Sequence, residues 1–132
     1  MANNIKLSIK LNLDGAYIPS FNKKFSHLNY LYKKNFLLIG SAHNLREINL
    51  KDKQNCKYIL LSKLFTVDYD KNSPILGLIK FNKYTQCSKR KLIPLGGIKL
   101  TNLGRLKFIN SEGFAVLSEI KKKPVKIINR LF

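Results

Sequence analysis

Short apolar runs recur along this chain and restrict its possible folds more than any other feature. They lie near residues 14, 36, 57, 92 and 113 and read GAYI, FLLIG, YILLS, LIPLG and GFAVLS. The runs are rich in Ile, Leu, Val and aromatic residues and have no polar face, which is typical of strands buried on both sides. Helical patterns separate them, so we predict an α/β fold of about five βα units with a parallel sheet.

The intervening segments carry helix signals. Asn44 precedes Glu47 by three residues, which is the arrangement of a capping box and predicts a helix that begins after Asn44. A second helix is expected over GLIKFNKYTQC. Thr101 is the predicted N-cap of a third, which would place Leu103 and Leu106 at helical spacing.

Residues 5–13 are ambiguous on periodicity alone. Ile and Leu alternate strictly with other residues there, and this pattern favours a half-buried strand. The same positions also contain i, i+4 pairs, so a helix stays open.

Size and composition indicate one domain, residues 1–132. The apolar runs are far too short to span a bilayer, and the N-terminus lacks the continuous apolar stretch of a signal peptide. Cys56 and Cys87 are isolated, with no neighbouring Cys or His at metal-ligand spacing. We therefore expect a cytoplasmic protein with no membrane partner and no zinc site.

The charge is strongly basic, with 25 Lys and Arg against 7 Asp and Glu, a formal net charge of +18. Such an excess can mark a nucleic-acid binder. Here, however, most basic residues are lysines spread along the chain, and only SKRK and KKKPVK are dense. We favour a solvated lysine-rich surface over nucleic-acid binding, and an anionic small-molecule ligand also fits.

A candidate phosphate site follows from two strand ends, because ligands of parallel α/β folds bind beyond the carboxyl ends of the strands. Gly96 and Gly97 end one apolar run, and Ser118 ends the next, before a predicted helix. Backbone N–H groups at a glycine turn and at a helix N-terminus favour an anion. A tight turn that needs positive φ would require the same glycines without any ligand.

His43 and two loop carboxylates are the other candidates for chemistry. His43 follows FLLIG at a strand end, where a histidine can act as a general base near neutral pH. A lone histidine is more often a surface or capping residue. Asp68 and Asp70, in TVDYDK, could bind a metal or organise their loop, and solvation is the default for such residues.

The order of these segments resembles the C-terminal part of the thiamine phosphate synthase/TenI family of (β/α)₈ barrels. The segments that carry the resemblance are DGAYIPS, IGSAHNLREI, KYILLSKLF, IPLGGIKLTN and EGFAVLSEI, which span about residues 2–121. The glycine pair and the serine ending are shared with other phosphate-binding barrels, whereas the ordered set is more specific. The family also implies a helix over residues 4–12, and because the resemblance covers nearly the whole chain we favour the helix there over the strand.

The resemblance implies a partial TIM-type (β/α)₈ barrel that lacks the first three strands. A complete barrel takes about 200–250 residues, so this chain cannot close one alone. We expect a homodimer, or another chain, to complete the barrel. A flattened flavodoxin-like sheet and a fragment of a longer product are the alternatives.

The resemblance also assigns roles to residues. Backbone amides would bind the phosphate of a thiazole phosphate at four positions: Gly96, Gly97, Leu117 and Ser118. Ser41 and Ser20 would lie at the substrate. His43 matches the histidine that is the proposed proton shuttle of TenI-type thiazole tautomerases.

Several departures weaken the resemblance to the synthase itself. Two aspartates hold Mg²⁺ in the synthases, and their positions fall near Asn3 and Asn22, whose neutral amides are much weaker Mg²⁺ ligands. The TxTK loop of the synthases falls on residues 67–70, which carry no matching pair of threonines. We therefore expect no cofactor, with Mg²⁺ required only if the chain is a synthase.

The favoured function is that of a thiamin-biosynthesis enzyme that binds a small phosphorylated thiazole and, if active, carries out TenI-like tautomerase chemistry. The first alternative is thiamine phosphate synthase, a transferase that joins a pyrimidine pyrophosphate to thiazole phosphate. The second is a non-catalytic binder of a phosphate ligand or of nucleic acid.

Overall fold

Four parallel strands form the sheet of the structure, a computed structural model in which residues 1–117 are described. The strands are β1 (Gly15–Ile18), β2 (Leu37–Ala42), β3 (Tyr58–Leu61) and β4 (Lys91–Pro94), and their order in the sheet is the order along the chain. The register pairs Gly15 with Leu37, Ile39 with Tyr58, and Tyr58 with Lys91. The predicted α/β fold with a parallel sheet is confirmed.

The fifth apolar run enters the same sheet beside β4. Ala115 forms an isolated parallel bridge with Leu95, and its N–H donates to the carbonyl of Pro94 at 2.9 Å. Residues 1–117 therefore hold four of the five predicted strands and an isolated bridge in the fifth apolar run.

Three α-helices accompany the strands: α1 (Ile5–Lys10), α2 (Leu45–Lys53) and α3 (Gly77–Cys87). Two 3₁₀ helices span Ser26–Asn29 and Leu100–Phe108. Asn44 caps α2 as predicted, since its side-chain oxygen accepts the Glu47 N–H at 3.0 Å. Among residues 1–117, every helix is too short and too polar to cross a membrane.

The helix favoured for residues 4–12 from the family resemblance is confirmed as α1, and the strand that periodicity alone favoured was wrong. Ile5 and Ser8 are buried while Leu7 and Leu11 are exposed, so the i, i+3 period governs burial. The place beside β1 is already taken by the first residues of the chain. Tyr17 donates its N–H to the carbonyl of Met1 at 2.8 Å, so residues 5–10 cannot pair with β1 at this position as a strand.

The predicted helix after Thr101 is a 3₁₀ helix, and its N-cap is Lys99. The side-chain oxygen of Asn102 accepts the Lys99 N–H at 2.8 Å, which fixes the start two residues earlier than predicted. Gly104 lies within this segment and lowers its α-helical propensity.

One face of the sheet is buried beneath the helices. Along each strand, buried side chains on this face alternate with more exposed side chains on the opposite face, because successive residues of a strand point to opposite faces. The fully buried members include Ile18, Ile59, Leu61 and, from α3, Phe81. The opposite, partly exposed face is also mainly apolar; it carries Tyr17, Leu37, Ile39, Tyr58, Leu60 and Ile93.

The crossover between β1 and β2 is held by polar side chains of α2 and its C-cap. Lys51 is fully buried and donates to the carbonyls of Pro19 at 2.6 Å and Asn22 at 2.9 Å. The amide of Gln54 donates to the carbonyls of Asn22 at 3.0 Å and Lys24 at 2.8 Å. Desolvation by burial lowers the pKa of Lys51. This crossover contains no α-helix, so these donors satisfy backbone carbonyls that a helix would have satisfied itself.

We expect Lys51→Met to lower the free energy of unfolding by about 1–3 kcal/mol, because the partly buried carbonyl of Pro19 loses the ammonium that donates to it. Urea unfolding followed by circular dichroism measures this change. Lys53→Met, an exposed position on the same helix, is the matched control and should be close to neutral. Equal effects of the two substitutions would contradict the assigned role of Lys51.

Candidate functional site

The turn after β4 is built on two glycines with positive φ, +93° at Gly96 and +70° at Gly97. The backbone of residues 63–66 packs directly onto this turn. Leu64 donates its N–H to the carbonyl of Leu95 at 2.9 Å, and Phe65 donates to Gly96 at 3.0 Å. A Cβ at Gly97 would lie 2.4 Å from the Phe65 carbonyl oxygen. The fold itself therefore requires bare backbone at this turn.

A cavity of about 90 Å³ opens beside the turn. Its lining includes Gly96, Gly97, Lys99 and, from the fifth apolar run, Leu117. Complete small-molecule sites usually take about 300–1,000 Å³, so this volume suits one group of a ligand. The structure thus brings together three of the four predicted phosphate-binding residues. The fourth, Ser118, lies outside the described residues.

Two lysines bind carboxylates of the loop above the cavity. Lys99 forms an ion pair with Asp68, and both residues line the cavity. Lys63 forms an ion pair with Asp70 at 2.6 Å and also contacts the Ser73 hydroxyl. Hydrogen bonds from Lys63 and then from Ser73 hold the pKa of Asp70 below its ordinary value. Both aspartates therefore organise the loop, one of the two roles considered for them.

His43 lies at the end of β2, exposed and bonded to the first turn of α2. Its N–H donates to Glu47 Oε2 at 2.8 Å, and its ring Nδ1 lies 3.0 Å from the same oxygen. Partial burial would raise the pKa of Glu47, but hydrogen bonds from His43 and Asn44 outweigh it and lower that pKa. The carboxylate orients the imidazole and leaves the second ring nitrogen available.

The predicted substrate residues lie along one edge of the sheet. Ser20 follows β1 and is half-buried. Ser41 is buried near the end of β2, on the sheet face opposite to that of Gly40. His43 and the glycine turn are separated by β3, which corresponds to about 10 Å across parallel strands. One ligand could therefore reach from the turn towards His43, and the roles of these residues stay predictions.

The two positions that the family resemblance assigns to Mg²⁺ carboxylates are in direct contact. The Asn22 side-chain N–H donates to Asn3 Oδ1 at 2.7 Å, and Asn22 Oδ1 accepts the Lys24 N–H at 2.9 Å. Both amide oxygens are thus engaged, and both side chains are neutral. Within residues 1–117, no group of three His, Cys, Asp or Glu could hold a metal ion. These residues do not fit Mg²⁺.

The sequence interpretation assigned no role to Lys63 or Lys99, although both lie just after predicted strands. Lys99 follows the glycine pair by two residues, so its closeness to a predicted anion site was a usable signal. Lys63 directly follows the run YILLS, but its approach to the glycine turn depends on the path of the long loop after β3.

The sequence matches a known protein family. The sequence model described as thiamine monophosphate synthase (TMP-TENI) matches residues 1–120. The chain belongs to this family. The resemblance inferred from the ordered segments is confirmed.

Curated relatives are longer than this family member. They include the thiamine-phosphate synthases of Flavobacterium psychrophilum, 27% identical over 137 residues, and of Flavobacterium johnsoniae, 28% identical over 132 residues. These matches cover 98% and 96% of this chain but only 66% and 62% of the relatives. The chain therefore spans just under two thirds of their length.

A solved structure shows the same fold. The thiamine phosphate pyrophosphorylase from Pyrococcus furiosus matches 99% of this chain and 67% of its own, with a TM-score of 0.67 and 15% sequence identity. At this identity the likeness concerns the fold, which is that of a partial TIM-like barrel.

Gly97→Ala should lower the free energy of unfolding by about 2 kcal/mol or more, because it combines left-handed backbone with a clash against Phe65. Chemical denaturation measures the loss. Gly104→Ala is the control, since a Cβ there meets no atom within 4 Å. A fully stable Gly97→Ala protein would contradict the close backbone approach.

Glu47→Gln should flatten the dependence of stability on acid pH. Because the folded protein lowers the pKa of Glu47, its contribution is complete above the ordinary value of 4.5 and is lost as pH falls through the folded value. Unfolding free energies between about pH 7 and pH 3 should therefore fall more steeply for the wild type. Parallel curves for the two proteins would exclude this contribution.

Proposed function

We propose that this chain is part of a thiamin-biosynthesis enzyme and binds the phosphate of a small phosphorylated thiazole. The carrying observation is that Gly96, Gly97 and Leu117 line one small cavity beside Lys99. Positive-φ backbone turns direct N–H groups into a concavity that suits an anion, and the lysine adds charge. Ser118 is proposed to complete the phosphate contacts.

The proposed reaction is TenI-like tautomerisation with His43 as the proton shuttle. Glu47 orients the imidazole through Nδ1, so the free ring nitrogen can accept and return a proton. The ligand would be anchored at the glycine turn, with its ring lying over the ends of β3 and β2. Ser41 and Ser20 are proposed to contact that ring.

Thiamine phosphate synthase activity is the second candidate, favoured by the names of the relatives. The Asn3–Asn22 amide pair argues against it, because it supplies no carboxylate for the Mg²⁺ that neutralises a pyrophosphate. Product formed from both synthase substrates with Mg²⁺ would favour the synthase over the tautomerase.

We also propose that residues 1–132 form one truncated domain completed by a second copy or another chain. The less covered sheet face, lined by Tyr17, Leu37 and Ile39, is apolar and borders a shallow cavity. Apolar faces of this kind are normally covered. A stable monomer in solution-mass measurements would make the completed barrel untenable. A cytoplasmic setting remains our expectation.

The test of the binding site is thermal stabilisation by thiazole phosphate. We expect the wild-type midpoint to rise with ligand concentration, because binding to the folded state alone stabilises it. Ser118→Glu should abolish the rise by placing a negative charge beside the phosphate. If the wild type shows no stabilisation, both the tautomerase and the simple binder are excluded.

The same assay separates binding from chemistry. His43→Ala should retain ligand stabilisation and lose about 10²–10⁴-fold in tautomerisation rate. Arg46→Ala, an exposed neighbour on α2, is the control and should keep the wild-type rate. Unchanged turnover in His43→Ala would remove His43 from the mechanism.

A further inference from the structure

Lys99 is held at the cavity by its backbone. Its N–H donates to Asn102 Oδ1 at 2.8 Å, and the Asn102 amide donates to the carbonyl of Gly97 at 2.8 Å. One asparagine thus joins the glycine turn to the backbone of Lys99. The lysine side chain extends from this fixed base, where its ammonium is paired with Asp68.

The loop that carries Asp68 is attached independently of Lys99. Asp70 donates its N–H to the carbonyl of Val67 at 3.3 Å, and its carboxylate is bound by Lys63. The Lys63 side chain is also less exposed than that of Lys99, 21% against 36%. Loss of the Lys99–Asp68 pair would therefore leave the loop attached.

The Lys99–Asp68 pair is of the kind that is readily exchanged. Its side chains are 36% and 46% exposed, and solvated ion pairs contribute little to stability. A phosphate group in the cavity would offer Lys99 two negative charges and charge-assisted hydrogen bonds. The phosphate would also be bound by the backbone amides of the glycine turn.

We infer that Lys99 is the residue that selects for the charge of the ligand and that Asp68 is its built-in competitor. A dianionic phosphomonoester takes the ammonium from Asp68, whereas the corresponding neutral alcohol leaves the ion pair in place. This inference rests on the proposed phosphate site. It makes the cavity selective for a phosphorylated ligand without a metal ion.

Affinity measurements on the full chain test this with thiazole phosphate and the dephosphorylated thiazole alcohol as probes. Lys99→Gln should weaken binding of the phosphate about tenfold or more, through loss of a charged hydrogen bond. Asp68→Asn should strengthen it about two- to fivefold, by removing the competitor. Neither substitution should change binding of the alcohol.

Two controls isolate competition from net charge. Asp70→Asn removes one negative charge from the same loop, as Asp68→Asn does. Because Asp70 pairs with Lys63 and not with Lys99, phosphate affinity should stay within about twofold of the wild type. In the double variant Lys99→Gln with Asp68→Asn, the gain from Asp68→Asn should vanish.

The outcomes separate this inference from the proposed function. If the wild type binds the phosphate but Asp68→Asn does not strengthen binding, or Asp70→Asn strengthens it equally, the competitor role is wrong and the phosphate site stands. If Lys99→Gln binds as tightly as the wild type, charge selection by Lys99 is wrong. If the wild type binds neither probe, both proposals fall.

Discussion

The site depends on one contact between two pieces of backbone, residues 63–66 against the glycine turn after β4. That contact leaves no room for a side chain at Gly97, and it fixes one wall of the cavity beside the turn. The structural and ligand-binding explanations of the glycine pair are therefore compatible. Bare backbone is required by the loop from β3 on one side and is open to a small anionic group on the other.

Hydrogen bonds from polar side chains hold the crossover between β1 and β2, which lacks an α-helix. The crossover after β1 lacks an α-helix, and the buried ammonium of Lys51 supplies the hydrogen bonds that a helix would make internally. A Cβ at Gly40 would lie 2.8 Å from the Lys51 side chain, so a small residue in β2 makes this path possible. Because α2 is anchored in this way, its first turn and His43 are held at the same edge as the glycine turn.

Two lysines provide positive charge at this site. Lys99 lines the cavity and Lys63 packs against the glycine turn, and each forms an ion pair with a loop carboxylate. Near β1, the side chains of Asn3 and Asn22 are hydrogen-bonded to each other, and neither carries the negative charge of a Mg²⁺ carboxylate ligand. This arrangement supports the proposed recognition of one phosphate group and the proposed proton transfer at His43.

The sequence by itself determined the elements whose signals are local. Apolar runs specified the parallel strands, Asn44 with Glu47 specified the start of α2, and Gly96 with Gly97 specified a positive-φ turn. Tertiary structure decided what depends on neighbours distant in sequence. Residues 1–3 pair with β1, and residues 5–10 form a helix. The side chain of Asn102 accepts the Lys99 N–H, so Lys99 is the N-cap of the 3₁₀ helix. Asp68 pairs with Lys99, which is 31 residues away in the sequence. Periodicity reports which side of a segment is apolar, but only the folded chain determines which backbone or charge lies against it.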